Sequence, residues 1–192
     1  MGGYVAGPVA AAAIITRTPI VAMEPNAMPG LVSRLTARWV QHALVSFEET
    51  ERYFPAGRAE RTGLPVRGEF FEIPPAGQAA PFHVLITGGS RGARTLNRAA
   101  REAWPVLARS DSPIAVTLQC GESEAAELGA AFGAAGLDGE VTAFLDDMPA
   151  AYARASLIVS RSGAGAVSEV AAAGRPSILV PFPFAADDHQ RH

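Results

Sequence analysis

The stretch "SLIVSRSGAGAVSEVAAAG", residues 156–174, decides the fold class. Its first five residues form an apolar run without polar alternation, which predicts a strand buried on both faces, as in parallel sheets. Small residues follow, and "AVSEVAAAG", residues 166–174, predicts a helix with Gly174 as its C-cap. A strand that passes through a glycine-rich turn into a helix is the repeating unit of an α/β protein.

The same alternation extends over the second half of the chain. Its strands have little polar alternation, and helical segments separate them, so the pattern predicts a Rossmann-like parallel sheet with helices on both faces. The predicted strands are 82–87, 114–120, 140–144, 156–160 and 177–182, and the predicted helices are 93–108 (bent or ended near Pro105), 123–136, 148–155 and 166–174.

The first part of the chain carries a shorter version of this pattern. Residues 7–18 and 29–40 read as helices, the latter with Pro29 in its first turn, and residues 19–23 and 42–47 read as strands. A Pro/Gly/Ala stretch, residues 72–82, has no periodicity and predicts a linker. We therefore expect two domains, residues 1–71 and 83–192, joined by this linker.

Composition excludes several classes of protein. The 192 residues are 48% hydrophobic, with Lys+Arg 16 against Asp+Glu 19, so no overall basic charge favours nucleic acid. A single cysteine, Cys120, excludes an internal disulfide framework. No apolar run approaches the roughly 20 residues that span a bilayer, and no residues have metal-ligand spacing. The abrupt start and end suggest a chain cut at both ends.

Three glycine-rich segments carry the chemical signal: "GGYVAGP" (2–8), "GGSRGA" (88–93) and "RSGAGAVSE" (161–169). The second and third each follow a predicted strand and open a predicted helix. Unpaired N–H groups and partial positive charge at a helix start favour phosphate. Glycines in one such loop could equally serve only a tight turn, but three in one short chain favour phosphate binding.

Glu169 lies six residues after Gly163, which is about 9 Å along a helix. A carboxylate there could accept hydrogen bonds from ribose hydroxyls while main-chain N–H groups hold a diphosphate. A solvated acidic residue near a positive helix end is the equally weighted alternative.

Two other motifs match parts of these loops. "GGSRG" fits the G-x-S-x-G nucleophile elbow of α/β-hydrolases, with Ser90, Asp146 or Asp147, and His189 as a possible triad. The second glycine, the arginine after Ser90 and the other two loops disfavour it. "GAGAVS" begins like a dinucleotide fingerprint but has Ser168 at the third glycine position and lies late in its domain, which disfavours a nicotinamide or flavin site.

The segments "GGYVAGP", "EPNAMPG", "TGLPVR", "GGSRGARTLN" and "FLDDMPAAYARASLIVSRSGAGAVSEVAAAGRPSILVPFPFAADDHQ" resemble the MurG family nearly end to end. This resemblance implies a GT-B fold, in which two Rossmann-like domains face each other across a cleft, here with an incomplete N-terminal domain and most of the C-terminal one. It implies transfer of N-acetylglucosamine from UDP-N-acetylglucosamine to lipid I, without metal or other cofactor, at the cytoplasmic face of the bacterial membrane as a peripheral protein. Another UDP-sugar transferase of GT-B type, such as a glycolipid synthase, is the alternative.

The resemblance also assigns residues. It places Asn26 on the donor sugar, Arg67 and Ser90 on the donor, the main chain of Leu145 on the uracil, and Glu169 on the ribose. Three glycines, Gly2, Gly3 and Gly7, would approach the acceptor diphosphate, and Ile14 would lie near the membrane. The remaining donor contacts are Ala164, Gly165, Ala166, Val167, Ser168, His189 and Gln190.

Two parts of the family pattern do not match. The family's first glycine-rich loop, with its candidate catalytic histidine, should precede "GGYVAGP", and a C-terminal stretch should follow "DHQRH". "TGLPVR" also has Leu64 where many relatives carry Asn. We therefore name no catalytic base in this sequence, and we expect the isolated chain to bind the donor and to be inactive or nearly so.

Overall fold

A computed structural model describes residues 5–75, 77, 81–89 and 92–182. The described residues form two compact units, one ending at Pro65 and one from Val66 to Phe182. The predicted linker, residues 72–82, falls inside the sequence range of the second unit, and its role as a domain linker stays a prediction.

The first unit is built on a small parallel sheet. Its elements are α1 (Ala6–Ile15), β1 (Val21–Glu24), α2 (Leu31–Thr36) with a 3-10 turn (Ala37–Trp39), β2 (His42–Val45), α3 (Glu48–Glu51) and β3 (Ala59–Arg61). The strand order is β1-β2-β3, all parallel. A small core, formed by Ala22, Ala37, Val40, Ala43, Val45 and Phe54, lies against the sheet.

Most predicted elements of this unit are present. The first predicted helix ends three residues early, at Ile15, and the second begins at Leu31 with Gly30 as its N-cap, so Pro29 lies before the helix and not in its first turn. Helix α1 has no buried residue although its sequence, AGPVAAAAII, is apolar. Its surface therefore leaves apolar area uncovered within this unit.

The second unit contains a larger sheet. Its elements are a 3-10 turn (Gly68–Phe70), β4 (Phe82–Thr87), α4 (Arg94–Leu107), β5 (Ile114–Gln119), a 3-10 turn (Glu122–Glu124), α5 (Ala125–Ala135), β6 (Asp138–Thr142), α6 (Met148–Arg154), β7 (Leu157–Arg161), α7 (Ala164–Ala173) and β8 (Ser177–Val180). All five strands are parallel, in the order β6-β5-β4-β7-β8.

Helices cover both faces of this sheet. On one face, Val84 and Ile86 of β4 pack with apolar residues of α4 and α5, including Trp104 and Phe132. On the other face, Leu85 packs with residues of α6, α7 and the 3-10 turn Gly68–Phe70. The alternation of neighbouring β4 side chains between the two cores is the two-residue period of a strand. The predicted α/β architecture with helices on both faces is confirmed.

Candidate functional site

The order of the large sheet creates a crevice between β4 and β7. From β4 the chain runs outward through α4 to β5 and β6, whereas β7 and β8 lie on the other side of β4. The direction of winding therefore reverses between β4 and β7. In open α/β sheets, ligands bind at such a switch point, outside the carboxyl ends of the strands. The glycine-rich segments 88–93 and 161–169 lie at the carboxyl ends of these two strands.

Two helices begin at this crevice without a side-chain cap. The N-cap of α4 is Ala93 and that of α7 is Gly163, and neither donates or accepts a capping hydrogen bond through a side chain. Helices of 14 and 10 residues each leave their first-turn N–H groups without partners inside the helix. Their partial positive charges add at one edge of the sheet, which favours an anionic group there.

In the loop after β4, the surrounding packing is enough to require glycine at two positions. A Cβ on Gly88 would collide with the backbone of Ala93. Gly92 has a positive φ of 69°, and a Cβ there would collide with the carbonyl oxygen of Cys120. At these two positions the tight-turn interpretation accounts for glycine without any ligand.

The loop after β7 differs. Gly163 has φ −70° and ψ 147°, which any residue adopts. A Cβ added at Gly163 or at Gly165 would meet no atom within 4 Å. Among the described residues, neither backbone conformation nor packing requires glycine here, and no described atom lies against these two positions. This is the arrangement expected where a ligand approaches main-chain N–H groups.

Glu169 lies on α7, and Arg67 acts on it electrostatically. Burial raises the pKa of the Glu169 carboxyl above its ordinary value, and the positive charge of Arg67 partly opposes that shift. Within the part of the chain that the structure describes, no group donates a hydrogen bond to this carboxylate. A half-buried acid kept without a hydrogen-bond donor costs stability, which favours a role for Glu169 in binding over a purely structural one.

A fully buried aromatic residue, Phe70, lies next to the exposed Arg67. Phe70 packs edge-on against Tyr152 of α6, with ring centroids 5.0 Å apart. The Arg67 guanidinium lies 5.1 Å from the centre of the Phe70 ring, and Phe70 N donates to Arg67 O at 3.2 Å. Burial, and then the negative charge of Glu169, raise the pKa of Tyr152 well above its usual range. Residues far apart in sequence therefore meet around one aromatic pair.

The predicted uracil-reading residue joins the same core. Leu145 packs, half-buried, against the cluster that contains Phe70 and Tyr152, and Val170, next to Glu169, belongs to that cluster. The Leu145 side chain therefore faces protein, which is compatible with a main-chain contact from Leu145 to a ligand. Of the predicted donor contacts, Leu145 packs on this core, Arg67 lies beside its Phe70 ring, and Glu169 directly precedes its member Val170.

An open groove of about 530 Å³ lies beside Arg67. Four carboxylates line it, against the single Arg67 guanidinium: Glu69, Glu72, Asp146 and Asp147. Such a surplus of negative charge repels a diphosphate. Of the two acids in "FLDDM", Asp147 accepts a hydrogen bond from Ala150 N at 2.9 Å and so caps α6. This charge disfavours the groove as an anion site, whereas the partial positive charges of the two helix starts favour an anion there.

In the first unit, a buried acid organises the loop that carries Asn26. Glu24 is 1% exposed. Its Oε1 accepts hydrogen bonds from Asn26 N at 3.3 Å and Asn26 Nδ2 at 3.1 Å, and its Oε2 accepts from Gly30 N and from Ser33 Oγ. Thr50 Oγ1 donates to Asn26 O at 3.0 Å. The Asn26 side chain is thus fixed by the loop itself, at the carboxyl end of β1.

Several predicted positions lie outside the described residues: Gly2, Gly3, Ser90, His189 and Gln190. Gly7 lies in the first turn of α1, where a Cβ would make an ordinary contact with Val32. Among residues 5–75, 77, 81–89 and 92–182, no group of three His, Cys, Asp or Glu side chains could hold a metal ion. The individual site assignments stay predictions.

Comparison with known proteins gives the family. Residues 83–192 match the model of the glycosyltransferase family 28 C-terminal domain. The chain belongs to this family. A UDP-N-acetylglucosamine–N-acetylmuramyl-(pentapeptide) pyrophosphoryl-undecaprenol N-acetylglucosamine transferase of Solibacter usitatus is 60% identical over 190 residues, which are 99% of this chain and 53% of that protein. Its namesake in Geotalea daltonii is 41% identical over 195 residues, 100% of this chain and 53% of that protein.

Solved structures support the same fold. The crystal structure of Acinetobacter baumannii MurG matches with TM-score 0.79 and 35% identity, covering 100% of this chain and 54% of that one. A glycosyltransferase of kitacinnamycin matches with TM-score 0.54 and 19% identity over 82% of this chain and 40% of that one, which bears on the fold alone. The MurG resemblance and the GT-B fold class are confirmed, and the chain spans about half the length of these relatives.

Sequence reasoning missed three residues that shape the site. Phe70 follows "TGLPVRGE", a stretch without periodicity, so nothing marked it as core. Thr87 and Gln119 are polar residues at the ends of otherwise apolar strands, and both are buried, at 5% and 1% exposure. The available signal for Thr87 and Gln119 was a polar residue at the carboxyl end of an apolar strand, where ligands bind in open α/β sheets.

Proposed function

We propose that this chain is the donor-binding part of an N-acetylglucosaminyltransferase that moves N-acetylglucosamine from UDP-N-acetylglucosamine to lipid I, giving lipid II in peptidoglycan synthesis. The names of the Solibacter and Geotalea relatives support the reaction. The observation that carries the proposal is the pair of uncapped helix starts at the β4–β7 switch point, with Glu169 on one of them.

The geometry suits departure of a nucleoside diphosphate. As the sugar–phosphate bond breaks, negative charge builds on the diphosphate. First-turn N–H groups of α4 and α7 would hydrogen-bond that charge, and preorganised donors of this kind can each contribute ~3–4 kcal/mol in a dry site. Glu169 would accept hydrogen bonds from the ribose hydroxyls, and Arg67, facing Glu169, would hold its side chain and the donor in register.

Further contacts to donor and acceptor are part of the proposal. Asn26, fixed by Glu24, would contact the donor sugar, and Gly2, Gly3 and Gly7 would approach the acceptor diphosphate. Ser90, His189 and Gln190 would complete the donor contacts. We assign no general base among the described residues.

Peripheral membrane association is part of the proposal. Residues 1–47 contain a single carboxylate, the buried Glu24, and three arginines. Apolar side chains lie exposed on α1 and α2, including Ile15 at 81%, Leu31 at 63% and Leu35 at 65%. An apolar surface flanked by cations suits an anionic lipid surface. Within the described residues, no helix has both the length and the hydropathy to cross a bilayer.

Vesicle sedimentation tests this association. The chain should pellet with phosphatidylglycerol vesicles at low salt and remain in the supernatant with phosphatidylcholine vesicles. A Leu31→Ser, Leu35→Ser double variant should lose the binding and keep its melting temperature, because both side chains are exposed. Equal sedimentation of variant and wild type would contradict the assignment of this surface.

The reaction itself is tested with a chimera. The parts of the Solibacter usitatus relative that lie outside the matched 190 residues are joined to this chain in their original order. Transfer of radiolabelled N-acetylglucosamine to a lipid I analogue is then measured. We expect transfer by the chimera, and at least a hundredfold loss in its Glu169→Ala variant. A folded chimera that hydrolyses or ignores the donor would overturn the proposal.

Calorimetry distinguishes this transferase from a GT-B glycolipid synthase and from a hydrolase. We expect UDP-N-acetylglucosamine to bind the 192-residue chain more tightly than UDP-glucose or UDP-galactose. Preference for either of the latter two would favour the glycolipid synthase. Covalent labelling of Ser90 by a fluorophosphonate would favour the α/β-hydrolase alternative.

A further inference from the structure

We propose that Thr87 and Gln119 are positioning residues that set the glycine-rich loop after β4 for the donor diphosphate. The inference rests on the proposed function, since it concerns how the α4 helix start is presented. Thr87 and Gln119 are the last residues of neighbouring strands and are paired in register. Both are buried, yet both project polar groups toward the loop.

Three hydrogen bonds close a ring on Gly89. Gly89 N donates to Thr87 Oγ1 at 3.2 Å, and Thr87 Oγ1 donates to Gln119 Oε1 at 3.2 Å. Gln119 Nε2 donates to Gly89 O at 3.4 Å. A hydroxyl can accept and donate at once, and a primary amide offers one acceptor and one donor group, so this ring uses each group in its proper role. We call it the Thr87–Gln119 clamp.

The clamp sets which N–H groups remain for a ligand. Both main-chain polar groups of Gly89 are used inside the protein, and Gly89 O also accepts from Gly92 N at 2.9 Å. Gly92 in turn lies against the carbonyl of Cys120, with no room for a Cβ. Gly89 and Gly92 are therefore both held before α4 begins, and among the described residues of this segment the first-turn N–H groups of α4 have no partner inside the helix.

A second contact holds α4 to the same strand end. Asn97 Nδ2 donates to Cys120 O at 2.9 Å and to Glu124 Oε2 at 2.7 Å. The carbonyl of Cys120 therefore lies against Gly92 and also accepts a hydrogen bond from Asn97 of α4. Loss of the clamp leaves this second contact in place, so the helix stays docked while the loop before it is freed. The fold should therefore be kept with some loss of stability, because Gln119 Oε1 and Gly89 N lose a partner, and the larger effect is expected on phosphate binding.

Three substitutions separate the functional role from a structural one. Thr87→Val keeps the shape and removes the hydroxyl that links Gly89 to Gln119. Thr87→Ser restores it. Thr117→Val is the matched control, because Thr117 is another buried threonine of the same sheet, 2% exposed, whose hydroxyl contacts His83 Nε2 at 2.9 Å and not the loop.

Binding of UDP and of uridine to the 192-residue chain is then compared. Uridine lacks the phosphates, so we expect Thr87→Val to weaken UDP about tenfold, roughly one charge-assisted hydrogen bond, with uridine affinity unchanged. Thr87→Ser should recover UDP binding, and Thr117→Val should leave the ratio of the two affinities at the wild-type value. Gln119→Met, which removes the donor to Gly89 O, should reproduce the Thr87→Val result.

Hydrogen exchange provides a readout that needs no ligand. The Gly89 amide should exchange slowly in the wild type and much faster in Thr87→Val, with the core strands unaffected. An unchanged UDP-to-uridine ratio in Thr87→Val, in a wild-type chain that binds UDP, overturns the clamp alone. Failure of the wild-type chain to bind UDP overturns the proposed function, and fast exchange at Gly89 in the wild type overturns the clamp independently.

Discussion

Replacing Gly163 by alanine separates a binding role of the β7–α7 loop from a purely conformational one. Gly163 has ordinary dihedral angles, and its added Cβ would meet no atom of the described residues within 4 Å. Alanine restricts the unfolded chain more than glycine does, so the substitution should stabilise the fold by about 0.4–1 kcal/mol. For a unit of this size we expect the melting temperature to rise by about 1–5 °C.

The same methyl group lies where the diphosphate would approach. It should displace the ligand from the first-turn N–H groups of α7 and remove one hydrogen bond to a charged group, worth about 1.5–3 kcal/mol. The affinity for UDP, measured by calorimetry, should therefore fall about ten- to a hundredfold. Stability and binding thus change in opposite directions at one position.

Gly133→Ala is the matched control. Gly133 lies in α5, and a Cβ there also meets no atom within 4 Å. This substitution should stabilise the fold by up to about 1 kcal/mol, as expected for a helix interior, and leave UDP affinity unchanged. A Gly163→Ala chain that binds UDP as tightly as the wild type, or that melts several degrees lower, would refute the reasoning.

Three other substitutions are informative. Burial raises the pKa of Glu169 in the folded state, so ionisation of this carboxyl costs stability at neutral pH. Glu169→Gln should therefore raise the melting temperature at pH 7.5, and this gain should disappear below the ordinary carboxyl pKa. The same substitution should weaken UDP binding. Burial, and then the charge of Arg154, lower the pKa of His83 from 6.5, so wild-type stability should fall as pH drops below about 6.5, and melting curves of His83→Gln should lack that step. Arg175, 6% exposed, donates to Tyr152 O at 2.9 Å and Ala153 O at 2.8 Å; Arg175→Lys should cost about 2–3 kcal/mol in urea unfolding, and a loss below 0.5 kcal/mol would contradict that role.

Apolar runs predicted most of the large sheet, but β6 forms over Asp138–Thr142 and not over the predicted 140–144, because it begins with the polar sequence DGE, which carries no apolar signal. Residues 82–87 form β4 as predicted, and α7 begins only two residues before the prediction, at Ala164. Two elements of the first unit, β3 and α3, were not predicted from the sequence. β3 has the sequence AER, without apolar alternation, and α3 is a single turn with the sequence EETE. Both are formed by pairing or packing with β2 and not by their own pattern, so tertiary contacts decided them.

The site was predictable where a loop has its own signature and not where distant segments meet. The glycines after β4 and β7, and Glu169, could be proposed from spacing along one strand–turn–helix unit. The position of Arg67 beside Phe70, in a core that also contains Val170 of α7, depends on burial of the 3-10 turn Gly68–Phe70 against α6 and α7. The sequence carries no local sign of that packing, and the resemblance to a family alone suggested Arg67.

The central claim is that main-chain N–H groups at two helix starts hold the diphosphate of the donor. It is tested most directly by a ¹H–¹⁵N NMR titration of the chain with UDP. Saturable shifts should concentrate at the amides of residues 94–96 and 164–166, with Gly89 little changed because its N–H is already bonded to Thr87. Saturable binding that leaves both helix starts unshifted, or no binding at all, would contradict the account.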